Sequence, residues 1–154
     1  MNVNEFLDRY AAGERYFKDV DLFRAELSSA SLPGIRLLRA DLFAANLFRI
    51  NLLGADLFRA RLIRANLYCA NLSGINLSEA DLIGADLRGA DLSGADLSSA
   101  DLTGADLTDA NLSYADLSLA SLCRANLTNV QFDTAKLEKT DLSKAVMPDG
   151  GKHP

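Results

Sequence analysis

Residues 80–112 read ADLIGADLRGADLSGADLSSADLTGADLTDANL: a small residue, then Asp or Asn, then leucine, every five residues without a slip. A helix does not accommodate this period. At 3.6 residues per turn, five-residue steps walk the leucines around the cylinder and leave no single apolar face. A plain strand fails as well. Ala-x-Leu alternates correctly, but two outward residues follow before the next inward alanine. Three extended residues and then a corner satisfy the pattern.

The period extends far beyond the quoted stretch. Every fifth position from Leu22 to Leu127 is leucine, and Phe132, Leu137 and Leu142 continue the column. Two residues earlier stand small or β-branched side chains, from Val20, Ala25 and Ala30 to Ala125, Val130 and Ala135. The repeat-region glycines (Gly34, Gly54, Gly74, Gly84, Gly89, Gly94 and Gly104) all fall two positions after a leucine. Pro33-Gly34 suits a type II turn, with proline presetting φ and glycine accepting a positive one. Where Arg24, Arg39 or Glu79 holds the glycine position, a different turn type is expected. Asp or Asn before leucine can bond turn N–H groups locally, a structural reason for the acidic row.

One corner per five residues, all bending alike, winds the chain into a solenoid. Spacing alone does not fix how many corners close a coil. The A(D/N)LXX tandem pattern resembles the pentapeptide-repeat proteins, and the resemblance implies an all-β, right-handed quadrilateral β-helix. Four sides would stack Leu22 under Leu42, Leu62, Leu82, Leu102, Leu122 and Leu142. About six coils at a strand spacing of ~4.8 Å make a rod ~30 Å long. The flanks MNVNEFLDRYAAGERYF and AVMPDGGKHP resemble those of stand-alone cyanobacterial members, the heterocyst-differentiation regulator among them.

The chain divides into an N-terminal cap (1–16), the repeat (17–147) and a polar tail (148–154) expected to be disordered. A solenoid exposes its core at each end and needs caps. Val3, Phe6, Leu7, Tyr10 and Ala11 recur at helical spacing, with Asn2 or Asn4 to start the helix and Gly13 to end it. Val146 and Met147 partly cover the last coil. Its strand edges predict end-to-end homodimers through Phe132, Leu137 and Leu142.

Charge is unevenly divided within a net of −5. Residues 71–142 hold twelve acidic and four basic residues, net −8, including Asp81, Asp86, Asp91, Asp96, Asp101 and Asp106. Family resemblance offers one use for such a rod, as a DNA mimic that acts on gyrase. The bland alternative is that the row caps turns and solvates the surface, since like charges ~5 Å apart in water cost only about 1 kcal/mol.

Residues 14–70 reverse the balance, with nine basic and six acidic residues. There the outward position after leucine carries Phe23, Phe43, Phe48, Phe58, Ile63 and Tyr68, beside Arg24, Arg49, Arg59 and Arg64. In four-sided register Phe23, Phe43 and Ile63 share a face, and Phe48 and Tyr68 share the next. Inward columns already supply the core, so this stripe is a candidate protein contact. Its competitor is shielding between coils, as in cross-strand pairs.

Catalysis is poorly provided for. His153 is the only histidine, and Cys69 and Cys123 fall on different faces, too far apart to pair. No phosphate loop or metal-ligand spacing occurs. The expectation is a non-enzymatic, regulatory protein-binding module with no cofactor and no metal, whose partner is an unidentified protein. Direct binding to nucleic acid is not expected, because the arginines are few and opposed by the acidic half. No apolar run approaches the ~18 residues that span a bilayer, and MNVNEFLDRY has no apolar signal core. The expected location is the cytoplasm, without membrane attachment.

Overall fold

The computed structural model describes residues 1–154. Beyond one helix, its regularity lies in single-residue parallel bridges between positions twenty apart, such as Asp41 to Arg61 and Arg61 to Asp81. These bridges run from Tyr16 to Val146. Four five-residue sides therefore make one coil, and each side stacks on its equivalent in the next.

A single side shows why five residues suffice. The Leu42 and Ala44 amides donate to Arg61 and Ile63 in the following coil, at 2.8 and 2.9 Å. Asp41 donates back to Val20 at 2.9 Å, and Ala45 closes the corner onto Leu42 at 3.0 Å. One amide is left, that of Phe43, and it donates to Asp41 Oδ1 at 3.0 Å. Every Asp or Asn preceding a repeat leucine, from Asp21 to Asp141, accepts in this way at 2.9–3.3 Å. The acidic row is thus first a row of turn acceptors. Where Glu26, Arg36 or Arg61 precedes the leucine, the amide two residues on has no acceptor, whereas after Ser31 that position is Pro33, which has no N–H.

The all-β expectation holds only in part, because no extended strand or sheet forms. Each side contributes one bridging residue before its corner intervenes, so the pairing never lengthens.

The expectation of different turns at non-glycine corners is overturned. Arg24, Arg39 and Glu79 have φ of 52°, 56° and 57°, close to the 62° of Gly54 and 63° of Gly74. A common amide pattern forces one corner conformation, and it overrides the local cost to a side chain with a Cβ. Of the corner residues from Asp19 to Lys144, only Thr134 escapes positive φ. Its branched Cβ resists the left-handed region. The Tyr114 amide then takes the Thr134 hydroxyl as acceptor, at 2.8 Å.

Inside the coils the leucine and small-residue columns form one core of 47 buried residues, none polar. Helix α1 (Val3–Ala11) closes the N-terminal end, with Asn2 Oδ1 accepting from the Glu5 amide at 2.8 Å. It buries Phe6 edge-on against Phe17, ring centroids 4.9 Å apart, and Tyr10 donates its hydroxyl proton to the Pro33 carbonyl at 2.9 Å.

At the other end the tail is ordered, contrary to expectation. A turn at Pro148-Asp149-Gly150, with Gly150 at φ 83°, sends it back antiparallel so that Lys152 bridges Val146. The His153 amide donates to Ala145 at 2.8 Å, and Met147 to Gly151 at 2.6 Å. Only this side is closed. The amides of Phe132, Leu137, Lys139 and Leu142 have no acceptor, and those apolar side chains are only half-buried.

Replacing Asp96 by Ala removes the acceptor of the Ser98 amide and should cost about 1 kcal/mol. Ser31→Ala, which precedes Pro33, should leave the urea midpoint nearly unchanged. Equal losses from the two changes would refute the turn-acceptor account.

Candidate protein-contact site

The twenty-residue register fixes which outward side chains meet. Phe23 and Phe43 stack with ring centroids 5.5 Å apart, and Ile63 and Ile83 continue their column. Around the next corner Phe48 stacks on Tyr68 at 5.8 Å. Phe58 stands on the face before Phe23, in the column of Leu38. Phe43, Phe48, Phe58 and Ile63 are half-buried, while Phe23 is 48% and Tyr68 37% exposed. Each ring therefore hides part of its area against neighbouring coils and offers the rest to solvent. Such stacks contribute about 0.5–1.5 kcal/mol beyond their burial.

Arginines roof the rings. Guanidinium carbons lie over Phe23 (Arg24, 5.1 Å), Phe48 (Arg49, 5.2 Å) and Phe58 (Arg59, 4.9 Å). Arg59 also pairs with Glu79 at 2.7 Å. Arg64 stands at the corner between the two aromatic faces, its Cγ 3.8 Å from where Gly84 would carry a Cβ. Two further cations take part that composition did not single out. Arg61 lies 4.7 Å from the Phe43 centroid while bound to Asp41 at 2.8 Å. Arg88 lies 5.2 Å from that of Tyr68. Twenty-residue register was the signal available for both, because Arg61 bridges Asp41 and Arg88 follows Tyr68 on its face.

Phe48, Asn66, Tyr68, Asp86 and Arg88 line a shallow groove of ≈ 390 Å³. At its edge Arg88 grips Asp86 twice, at 2.8 and 2.6 Å. That grip holds the Asp86 carboxyl below the usual carboxylate range and raises the guanidinium. The Ser118 hydroxyl and amide lower Asp116 in the same sense.

The acidic candidates do not converge on one face. Asp81 and Asp101 share one ladder and Asp86 and Asp106 another, while Asp91 and Asp96 lie on the remaining two. In all six, Oδ1 accepts from a turn amide. Two large apolar side chains escaped notice in the sequence, Tyr114 and Leu119, which are 75% and 60% exposed at adjacent corners. Bulk at a corner position that other repeats give to glycine was their signal.

Fold and surface together define a non-helical solenoid of tandem five-residue units, closed by a terminal helix. The chain belongs to the pentapeptide-repeat family: the description Pentapeptide repeats matches in 8 copies, over residues 21–57, 40–78, 70–109 and 105–143. It is similar to HetL, a pentapeptide repeat protein involved in heterocyst differentiation regulation from the cyanobacterium Nostoc sp. strain PCC 7120. That match is 33% identical over 99% of this chain and 100% of HetL, with a TM-score of 0.43. Rfr23 from the cyanobacterium Cyanothece 51142 is 28% identical over 90% of this chain and 97% of its own, TM-score 0.37. Trypsin-treated QnrB1, a plasmid-mediated fluoroquinolone resistance protein, is 21% identical over 84% of this chain and 70% of its own. Its TM-score is 0.56, a likeness of fold alone. No curated protein matches the chain. No helix is long and apolar enough to cross a membrane.

Asp86 generates a pH prediction. Its folded pKa is depressed, so the stability it adds is present above the unfolded carboxylate value of ~3.9 and is lost as pH falls through the folded value. Asp86→Asn should melt below the natural protein at about pH 7, and the gap should narrow by about pH 3. Paired thermal melts at the two pH values check this.

Proposed function

We propose that this chain is a non-enzymatic protein-binding module with a regulatory role, acting in the cytoplasm through the aromatic and arginine surface of its N-terminal half. The observation that carries the reading is the pair of ring stacks, Phe23–Phe43 and Phe48–Tyr68, outside a core that the leucine columns complete. Rings roofed by arginine have the composition of energetic hot spots in protein interfaces. HetL's regulatory involvement supports the same class of role. The surface rides on a rod for which we take the right hand of the family and about six coils, with residues 17–147 as the repeat unit.

A second reading, a DNA mimic acting on gyrase, draws on the net −8 of residues 71–142. Weighing against it are the basic aromatic half and the dispersal of the aspartates over four faces. Replacing Phe23, Phe43, Phe48 and Phe58 together by serine should abolish capture of partners from a cyanobacterial lysate while the variant still folds, with a lowered Tm. Natural protein at micromolar concentration should leave gyrase supercoiling unaffected. An unchanged set of captured proteins, or inhibition of gyrase, would overturn the first reading.

We also infer end-to-end homodimers through the open C-terminal coil, where Phe132, Leu137 and Leu142 are half-buried above unpaired amides. Edges of this kind invite pairing. Sedimentation should show concentration-dependent dimers that Leu137→Lys removes. A single monomer boundary at every concentration would contradict this.

A further inference from the structure

From Arg36 to Arg88 most arginines are ion-paired. Arg36 faces Asp56, Arg39 Asp19, Arg59 Glu79, Arg61 Asp41 and Arg88 Asp86. Arg49 and Arg64 are the exceptions in that span, and Arg24 joins them just before it. The guanidinium groups of these three make no ion pair and donate no hydrogen bond, although each carries five N–H groups. They also lie together. Arg24 and Arg64 occupy one corner of the rod, two coils apart, and Arg49 the next corner in the coil between.

Between Arg24 and Arg64 stands Ala44, whose small side chain leaves a saddle on that corner. Phe43 flanks the saddle on one face and Phe48 on the other. Two of the carboxylates around it are ion-paired, and three others each accept from a neutral donor. Asp21 accepts from the Phe23 amide, Asp41 holds Arg61, Asp86 holds Arg88, Asp81 accepts from the Ile83 amide, and Glu26 accepts from the Asn46 side chain. Free donors beside apolar rings, with no local carboxylate paired to them, define their missing complement.

We propose that this saddle receives an acidic segment of a partner protein, with carboxylates for Arg24, Arg49 and Arg64 and apolar side chains for the rings. This rests on the protein-binding reading and names the chemistry of the partner. Arg24 and Arg64 are ~10 Å apart along the axis at ~4.8 Å per coil. A polyproline-II-like chain covers nearly the same span in three residues at ~3.1 Å each and returns every third side chain to one face. The segment therefore runs along the rod with an acidic residue at every third position and an aliphatic or aromatic residue between. A nucleic acid fits less well. A long polyanion lying along the rod would cross residues 71–142, whose net charge is −8.

The test is a selection of random twelve-residue peptides displayed on phage against the folded full chain. The expected pool is enriched in Asp or Glu three residues apart, interleaved with Leu, Phe or Tyr. A selected peptide, made synthetically, should bind at least about tenfold more weakly to the variant R24Q/R49Q/R64Q and should weaken as salt rises. That variant should stay folded and melt only slightly below the natural protein, because all three side chains are exposed and only the ring contacts at Phe23 and Phe48 are lost. A pool without acidic enrichment, an empty pool, or binding indifferent to the triple change would overturn the proposal. So would displacement of the peptide by duplex DNA, or a dimer in sedimentation that the triple change abolishes. Selected peptides lost on the fourfold Phe→Ser variant but indifferent to the triple change would leave the protein-binding reading standing and remove the acidic partner. Indifference to both variants would remove both.

Discussion

The regularity of the repeat rests on an acceptor for the fifth amide of most sides. Three amides reach neighbouring coils and one closes the corner. The remaining one points where no carbonyl lies, and a short Asp or Asn side chain two residues back meets it. An amide without a partner costs about 1–3 kcal/mol where water is excluded. Because this need recurs every five residues, it explains why the carboxylates of residues 80–112 are spaced as they are before any partner is considered. It also explains why they are scattered over four faces.

Once the backbone is satisfied in this way, two positions in five carry no structural duty beyond their corner. The core asks only for leucine and a small residue, and it contains no polar side chain. The residue after leucine and the corner residue are then free to be phenylalanine, arginine, serine or glycine, and they hold the surface that distinguishes the two halves of the rod. The half-burial of Phe43 and Phe48 shows that this freedom is not complete, since stacked rings also shield the coil edges beneath them. Shielding, and the contact proposed for this surface, fall on the same side chains.

Much of this was legible from residue order. The leucine column gave the solenoid, and helical spacing from Val3 to Ala11 gave the cap. The positions of Phe23 over Phe43 and Phe48 over Tyr68 followed from four-sided register, which came from family resemblance rather than from spacing. Local propensity misled at the corners. Arg24 and Glu79 adopt positive φ because hydrogen bonds to adjacent coils fix the turn, a long-range demand invisible in five residues. The tail was misread for a similar reason: Gly151 and His153 look like a polar end, yet the last coil offers them unpaired backbone groups at Met147 and Ala145. At the site, Arg61 lies over Phe43 and Arg88 over Tyr68 through coil register, so both were missed, and the ion pair of Arg59 with Glu79 was not foreseen.

Amide hydrogen exchange across one face tests the central claim most directly. Leu38, Phe58, Ser78, Ser98 and Ser118 occupy equivalent places in successive coils. Asp56, Asn76, Asp96 and Asp116 accept from the last four, whereas Arg36 leaves the Leu38 amide without an acceptor. The account predicts that the Leu38 amide exchanges at least about tenfold faster than the Phe58 amide, although both side chains are half-buried. Equal protection at Leu38 and Phe58 would contradict it.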